Sequence, residues 1–322
     1  MKTTTSAMVL AMALLASLAS ATNLWVGYGS ANGRGIAPLN ITGGTVFMGP
    51  TSRAEAIRQP WMEPIVGKTD CGKAIGFMDS LEYNRYNYVE ICDDAATYSK
   101  PFVPSIGYSR SWIAAGVAPV SGKPIGISMS YSSQGPVVVL FDSQTAKPVS
   151  EVDSDVAAAG RPSAMTWMTD SFGSIEGAIV QYSTGSSWQA VNVPVDGGQA
   201  SIVASGSDDP YIALAQGFFF STSKELYGLR AGSAGNVTFV TSDSSNPLDA
   251  PKVVAQLPQE IYSCASTMAV STRTAYVLCS QRGQNSGSPN VLVEIHAGLG
   301  TVNTYPLEFA STSYAFGYLV NI

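Results

Sequence analysis

An all-β fold assembled from repeated small sheets is what this sequence predicts, and three observations carry that prediction. Charged residues make up only 12% of the 322-residue chain, about half the ~25% usual in globular proteins. Glycine is abundant at 31 residues, and it punctuates short apolar runs at the positions where turns need it. Those runs recur in pairs from one end of the chain to the other, as strands of hairpins do.

Six hairpins are predicted in order. The first is Ile36 to Met48, turning at Thr42-Gly43-Gly44; the second is Tyr86 to Val103, turning near Cys92-Asp93-Asp94; the third is Val137 to Val152, turning at Asp142-Ser143-Gln144. Then come Ala178 to Val195 turning at Ser183-Thr184-Gly185, Leu226 to Val240 turning at Arg230-Ala231-Gly232, and Val291 to Leu307 turning at His296-Ala297-Gly298. A further β-like run precedes each: Leu24 to Tyr28, Ala74 to Met78, Ile125 to Tyr131, Met165 to Thr169, Gly217 to Ser221 and Ala275 to Ser280. Additional runs, Trp112 to Val117 and Tyr211 to Ala215, raise the count to four strands in some units.

Hairpin starts lie about 40 to 66 residues apart, a spacing within reach of propeller-blade repeats. Ala275-Tyr276-Val277-Leu278, then Val291-Leu292-Val293-Glu294-Ile295, then Gly300-Thr301-Val302 carry the pattern most clearly. In these segments the chain resembles the broad class of secreted β-propellers, over its whole mature length and as a pattern only. Neither a WD dipeptide nor a kelch di-glycine recurs, so no blade family is named. The expectation is one propeller over residues 22–322 with six four-stranded blades; five or seven blades, a two-sheet sandwich or tandem β domains are the alternatives. Tyr314 to Val320 is a lone final strand, and Leu24 opens a unit with no strand before it. Pairing the two would complete a blade and latch the ring, which a thin sheet unable to bury both faces alone requires.

The amino-terminal segment is read as a signal peptide over residues 1–21. Lys2 supplies charge, Ala7 to Ala19 an apolar stretch, and Ala19-Ser20-Ala21 a small-x-small cleavage site. That stretch, about 13 residues, is shorter than the roughly 20 of a spanning helix. The mature protein is therefore expected to be soluble and secreted. Four cysteines in an oxidising compartment favour disulfides. Three pairings are open, and the two sequence-near ones are Cys71 with Cys92 and Cys264 with Cys279. Asn40-Ile41-Thr42 and Asn236-Val237-Thr238 are N-glycosylation sequons in a eukaryotic host.

Chemistry is read mostly by elimination. Net charge is −6 without a Lys/Arg cluster, so nothing would neutralise a phosphate backbone and nucleic acid is excluded as an expected partner. The single histidine, His296, shares a strand side with Glu294, but no Gly-x-Ser-x-Gly occurs and no nucleophile is indicated nearby. It reads as a polar residue opening a turn. Gly27-Tyr28-Gly29 with Gly33 imitates a dinucleotide fingerprint, yet the third glycine is one position off and Pro38 stands where a helix would run.

Asp79 and Asp170 each follow an apolar strand and precede Ser, and they are the weak catalytic candidates. Paired carboxylates serve glycoside cleavage or hold calcium, although an Asp capping its own turn is the plainer reading. No cofactor is otherwise expected. Binding is assigned to loops between second and third strands, which share one face of a propeller. That face is expected to collect Arg34, Tyr83, Asn84, Arg85, Tyr86, Asp170, Glu176 and Arg282. Tyr and Arg favour protein contacts, and aromatic faces suit sugars. The functional expectation is an extracellular module that binds a protein or glycan; a propeller-type glycosidase or calcium-dependent lactonase is the alternative.

Overall fold

The computed structural model describes the strands named below together with residues 43–44, 49–50, 187, 199–200, 207, 236, 251, 257–260, 282, 289–290, 297–300 and 307–308. The chain opens with β1 (Leu24–Ser30), β2 (Gly33–Thr42), β3 (Thr45–Met48) and the short β4 (Ser52–Ala54). Next come β5 (Ile57–Met62), β6 (Ala74–Ser80), β7 (Tyr86–Cys92) and β8 (Ala95–Tyr98), then β9 (Arg110–Val117), β10 (Pro124–Ser130), β11 (Val137–Asp142) and β12 (Lys147–Asp153). They are followed by β13 (Arg161–Thr169), β14 (Ile175–Ser183), β15 (Trp188–Pro194) and β16 (Ser201–Gly206), and by β17 (Tyr211–Ala215), β18 (Glu225–Ala231), β19 (Val237–Asp243) and β20 (Lys252–Gln256). The last are β21 (Ile261–Ser271), β22 (Thr274–Gln281), β23 (Val291–His296), β24 (Thr301–Pro306) and β25 (Tyr314–Asn321). No described helix is long and apolar enough to cross a membrane.

Consecutive strands form antiparallel meanders of four: β5 to β8, β9 to β12, β13 to β16, β17 to β20 and β21 to β24. The last two share one eight-stranded sheet through parallel pairing of β17 with β21. The remaining sheet runs β25-β1-β2-β3, with β4 beside β2. β1 and β25 pair antiparallel from Leu24 opposite Asn321 to Ser30 opposite Tyr314, with an irregularity at Gly27/Tyr28.

Packing on both faces explains the residue patterns. β22 and β23 are buried along nearly their whole length, which is why they read as continuous apolar runs and do not alternate. Ala275, Val277, Cys279, Val291, Val293 and Ile295 pack on Tyr227, Leu229, Val237, Phe239 and Ala255 of the preceding meander. On the opposite face, Tyr276, Leu278 and Leu292 join Leu24, Val26, Leu39 and Val46 of the terminal sheet. A parallel bridge between Val46 and Leu307, with Glu308 N donating to Val46 O at 3.0 Å, ties those two sheets at their outer edge.

Two turns depend on glycine. Gly43 and Gly44 both have positive φ, 60° and 81°, as a two-residue hairpin turn between twisted strands demands. Gly300 has φ 65°, and a Cβ there would stand 2.9 Å from the Val254 carbonyl oxygen. Its lack of a side chain lets the turn after β23 lie down on β20.

The expected hairpins correspond to β2/β3, β7/β8, β11/β12, β14/β15, β18/β19 and β23/β24. Their place within each meander is not uniform: β14/β15 and β18/β19 are second and third strands, whereas the other four are third and fourth. The strands that complete those two units, β16 and β20, are short outer strands in which a three-residue apolar run is exposed or half-buried at nearly every position, so pattern alone passed over them. The run Gly217 to Ser221 lies outside the described residues, and β17 fills the first position of its unit.

Cys264 and Cys279 are disulfide-bonded and directly opposite one another in the β21/β22 ladder. Cys71 and the Cys92 side chain lie outside the described residues. Closing the 15-residue separation restrains the unfolded chain by about 3 kcal/mol. Cys264→Ser/Cys279→Ser is accordingly expected to lower unfolding free energy by ~2–4 kcal/mol in a urea titration; an unchanged midpoint would show the bridge to be dispensable.

Candidate functional site

The densest polar cluster among the described residues is centred on Glu294, in the middle of β23. Register sets it up: Tyr276 of β22 and Asn303 of β24 are its direct ladder partners, one on each side. The Tyr276 hydroxyl donates to Oε1 at 3.1 Å, Asn303 Nδ2 to Oε2 at 2.9 Å and the Tyr305 hydroxyl to Oε2 at 2.7 Å. His296 Nε2 stands 3.3 Å from Oε2, and its Nδ1 is 3.1 Å from the Thr274 hydroxyl.

Electrostatics follow from those contacts. Burial by itself would raise the Glu294 pKa, but hydrogen bonds from Asn303 and Tyr305, the charge of His296 and the Tyr276 hydrogen bond together hold it below the ordinary glutamate value. Both tyrosines move upward, each first through burial and then through the carboxylate they face, Tyr305 to about 12. The cluster thus keeps one ionised carboxylate among neutral phenols. Thr274, His296 and Glu294 do stand in the order of a nucleophile-activating relay. However, Oε2 is shared by three donors and Oε1 is occupied by Tyr276, so the carboxylate is committed to holding three strands together.

A second feature is a groove where the turn Ala297–Gly300 overlies the outer strands of the neighbouring meander. It holds about 390 Å³ and is lined by Tyr227, Thr241, Lys252, Val253, Leu299 and Gly300, among others. Two aliphatic side chains on its rim face water, Leu299 at 79% exposure and Val253 at 60%. Lys252 is exposed, and opposite it in the ladder the buried Thr241 hydroxyl oxygen has no hydrogen-bond partner.

Similarity to solved structures extends over most of the chain. One chain of the nidogen/laminin complex superposes with a TM-score of 0.56, covering 92% of this chain and 97% of its own at 12% identity. TolB from Acinetobacter baumannii gives 0.55 over 92% of this chain and 67% of its own, also at 12%. The fold is a β-propeller. A protein of unknown function from Bacteroides caccae reaches 0.50 over 94% of this chain and 99% of its own at 12% identity. No family model and no curated protein matches the sequence.

Within the propeller, the connections β1/β2, β6/β7 and β22/β23 all join a second to a third strand. Arg34 is in β2 just past the first, Tyr86 begins β7, and Arg282 is exposed directly after β22. The base of the last connection is clamped. Buried Asn290 accepts from Gln281 N at 2.9 Å and donates to Gln281 O at 3.3 Å, while Arg282 N donates to Glu260 O at 2.8 Å. Tyr83, Asn84 and Arg85 lie outside the described residues, as do the side chains of Arg34, Asp79 and Tyr86.

Two placements differ from expectation. Asp79 lies within β6, opposite Tyr86, and does not follow the strand. Glu176 is inside β14, the second strand of its meander, and Asp170 lies outside the described residues. Glu176 therefore stands within a strand and not in a loop between second and third strands. Sequence reading paired Glu294 with His296 but missed Tyr276, Asn303 and Tyr305, because only register brings them alongside. Of the sequon residues, Asn40 is exposed in β2 and Asn236 is half-buried ahead of β19.

Proposed function

We propose that this chain is a secreted six-bladed propeller, glycosylated at Asn40 and Asn236, that binds an extracellular protein. The reading rests on one observation: Leu299 and Val253, contributed by adjoining meanders, hold aliphatic side chains in water beside the groove. Exposed apolar side chains grouped on a rigid scaffold mark interaction sites. Their aliphatic character favours a protein over a glycan, which would look for an aromatic platform. Lys252 and the unpartnered Thr241 hydroxyl define the occupant further, as an extended segment carrying an apolar side chain next to a carboxylate. The loop end bearing Arg34, Tyr83 to Tyr86 and Arg282 is a second contact surface under the same reading.

Extracellular proteins captured by the purified chain would be identified, and affinity for each measured with three variants. Leu299→Asp and Lys252→Glu are each expected to weaken binding about 10-fold or more, as central contacts do. Because both side chains are exposed, the melting temperature should not move. Equal affinity for both variants and the parent would remove the groove from the reading. Tyr83→Ala/Arg85→Ala in the same assay weighs the loop end, and indifference to all three variants would overturn the binding proposal.

A further inference from the structure

The geometry points to Glu294 as an acid-sensitive clasp holding the β21 to β24 meander against the sheet that carries both end strands. The side chains bonded to its carboxylate are the ones that face that sheet: Tyr276 is part of the apolar cluster with Leu24, Val26, Leu39 and Val46, and Tyr305 packs against it. Their hydroxyls are anchored by one carboxylate group between them. An ionised carboxylate has about four acceptor sites, whereas a protonated one turns an oxygen into a donor. Protonation therefore removes one acceptor site shared by Tyr276, Tyr305, Asn303 and the nearby His296 and adds a donor among them, and a buried donor without an acceptor is costly. The rings then lose their fixed positions on this junction. The opposite face of the same meander is built from Ala275, Val277, Val293 and Ile295 against Phe239, Leu229 and Tyr227, with no carboxyl or imidazole group in that cluster.

The titratable groups facing Glu294 are Tyr276 from β22, His296 from its own strand and Tyr305 from β24. The terminal sheet meets the meander through Leu24, Val26, Leu39, Val46, Ile41 and Met48; Tyr28, two residues beyond Val26 in β1, and Glu308, bonded through its backbone to Val46, are the other described titratable groups at these elements. The sign is fixed by the directions of shift. The folded carboxyl is held below its ordinary value near 4.5. Its contribution is complete above that value and is lost as pH falls through the lowered one. The phenols, raised from 10.0, contribute fully below pH 10 and lose their effect as pH rises through the folded values.

Hydrogen exchange on the full chain, corrected for intrinsic pH dependence, tests the clasp between neutral pH and about pH 3, below the ordinary carboxylate range. Protection in β22 to β24 and in β1 and β2 is expected to fall by about 10-fold or more, while β18 and β19 hold. In Glu294→Gln that protection should already be low at neutral pH and should not change further on acidification. An acid response of the same size in Glu294→Gln, or one spread evenly over β18 and β19, would overturn the proposal. Should that variant not fold, Tyr305→Phe removes one donor and is expected to move the acid midpoint up by about 0.5–1 pH unit. A midpoint left where it was would overturn the proposal equally.

Discussion

Removing residues 309–322 is expected to abolish the folded monomer. Among the described residues β25 is the only strand paired with β1 on the side away from β2, through seven register positions from Leu24 to Ser30, and it also lies against β5 and β21. Without it β1 becomes a sheet edge carrying Leu24, Trp25, Val26 and Tyr28, all buried in the intact protein. An apolar unpaired edge is a template for aggregation. The loss is on the order of the whole stability margin of a domain, ~5–15 kcal/mol. Gel filtration and a thermal melt check it: a truncated chain that stays monomeric and melts cooperatively with the parent would show that end-strand pairing is not what holds the terminal sheet. Recovery of monomer on adding a peptide of residues 314–321 would locate the effect in the missing ladder.

Phe239→Ala should carry the second-largest effect, ~3–5 kcal/mol of unfolding free energy. Phe239 is fully buried between two meanders and stacks on Tyr227 at 5.4 Å between ring centroids and 19° between planes. Its truncation leaves a cavity at the contact with Val277 and Val293 and forfeits an aromatic pair worth about 0.5–1.5 kcal/mol beyond its area. Val253→Ala, at a side chain 60% exposed by contrast, is expected to change stability by less than about 0.5 kcal/mol. Urea titrations of the two variants supply the comparison, and a Phe239→Ala cost under ~1 kcal/mol would contradict the packing between meanders described for β19.

How much could be read in advance depended on where a residue's partners lie along the chain. Gly43 and Gly44 announce their turn because the demand for positive φ is local, and β22 and β23 announce themselves because burial on both faces leaves an unbroken apolar run. β16 and β20 did not, since each is a short, largely wet outer strand whose apolar run is only three residues long. That omission displaced two hairpins within their units and set Glu176 in a loop where the structure has β14. For Glu294, alternation along one strand supplied His296. The phenols and the amide that hold its charge come from 18, 11 and 9 residues away, through the registers of two separate ladders.

The sequence by itself determined the class of protein: strands and turns are written in local periodicity and glycine placement, and a thin sheet with apolar residues on both faces must be stacked. Which faces meet was decided only by the tertiary structure. Leu299 and Val253 become one rim, and Tyr276 and Tyr305 one junction with Leu24 and Val46, because twist, register and packing of neighbouring sheets act together over distances that no short window of residues encodes.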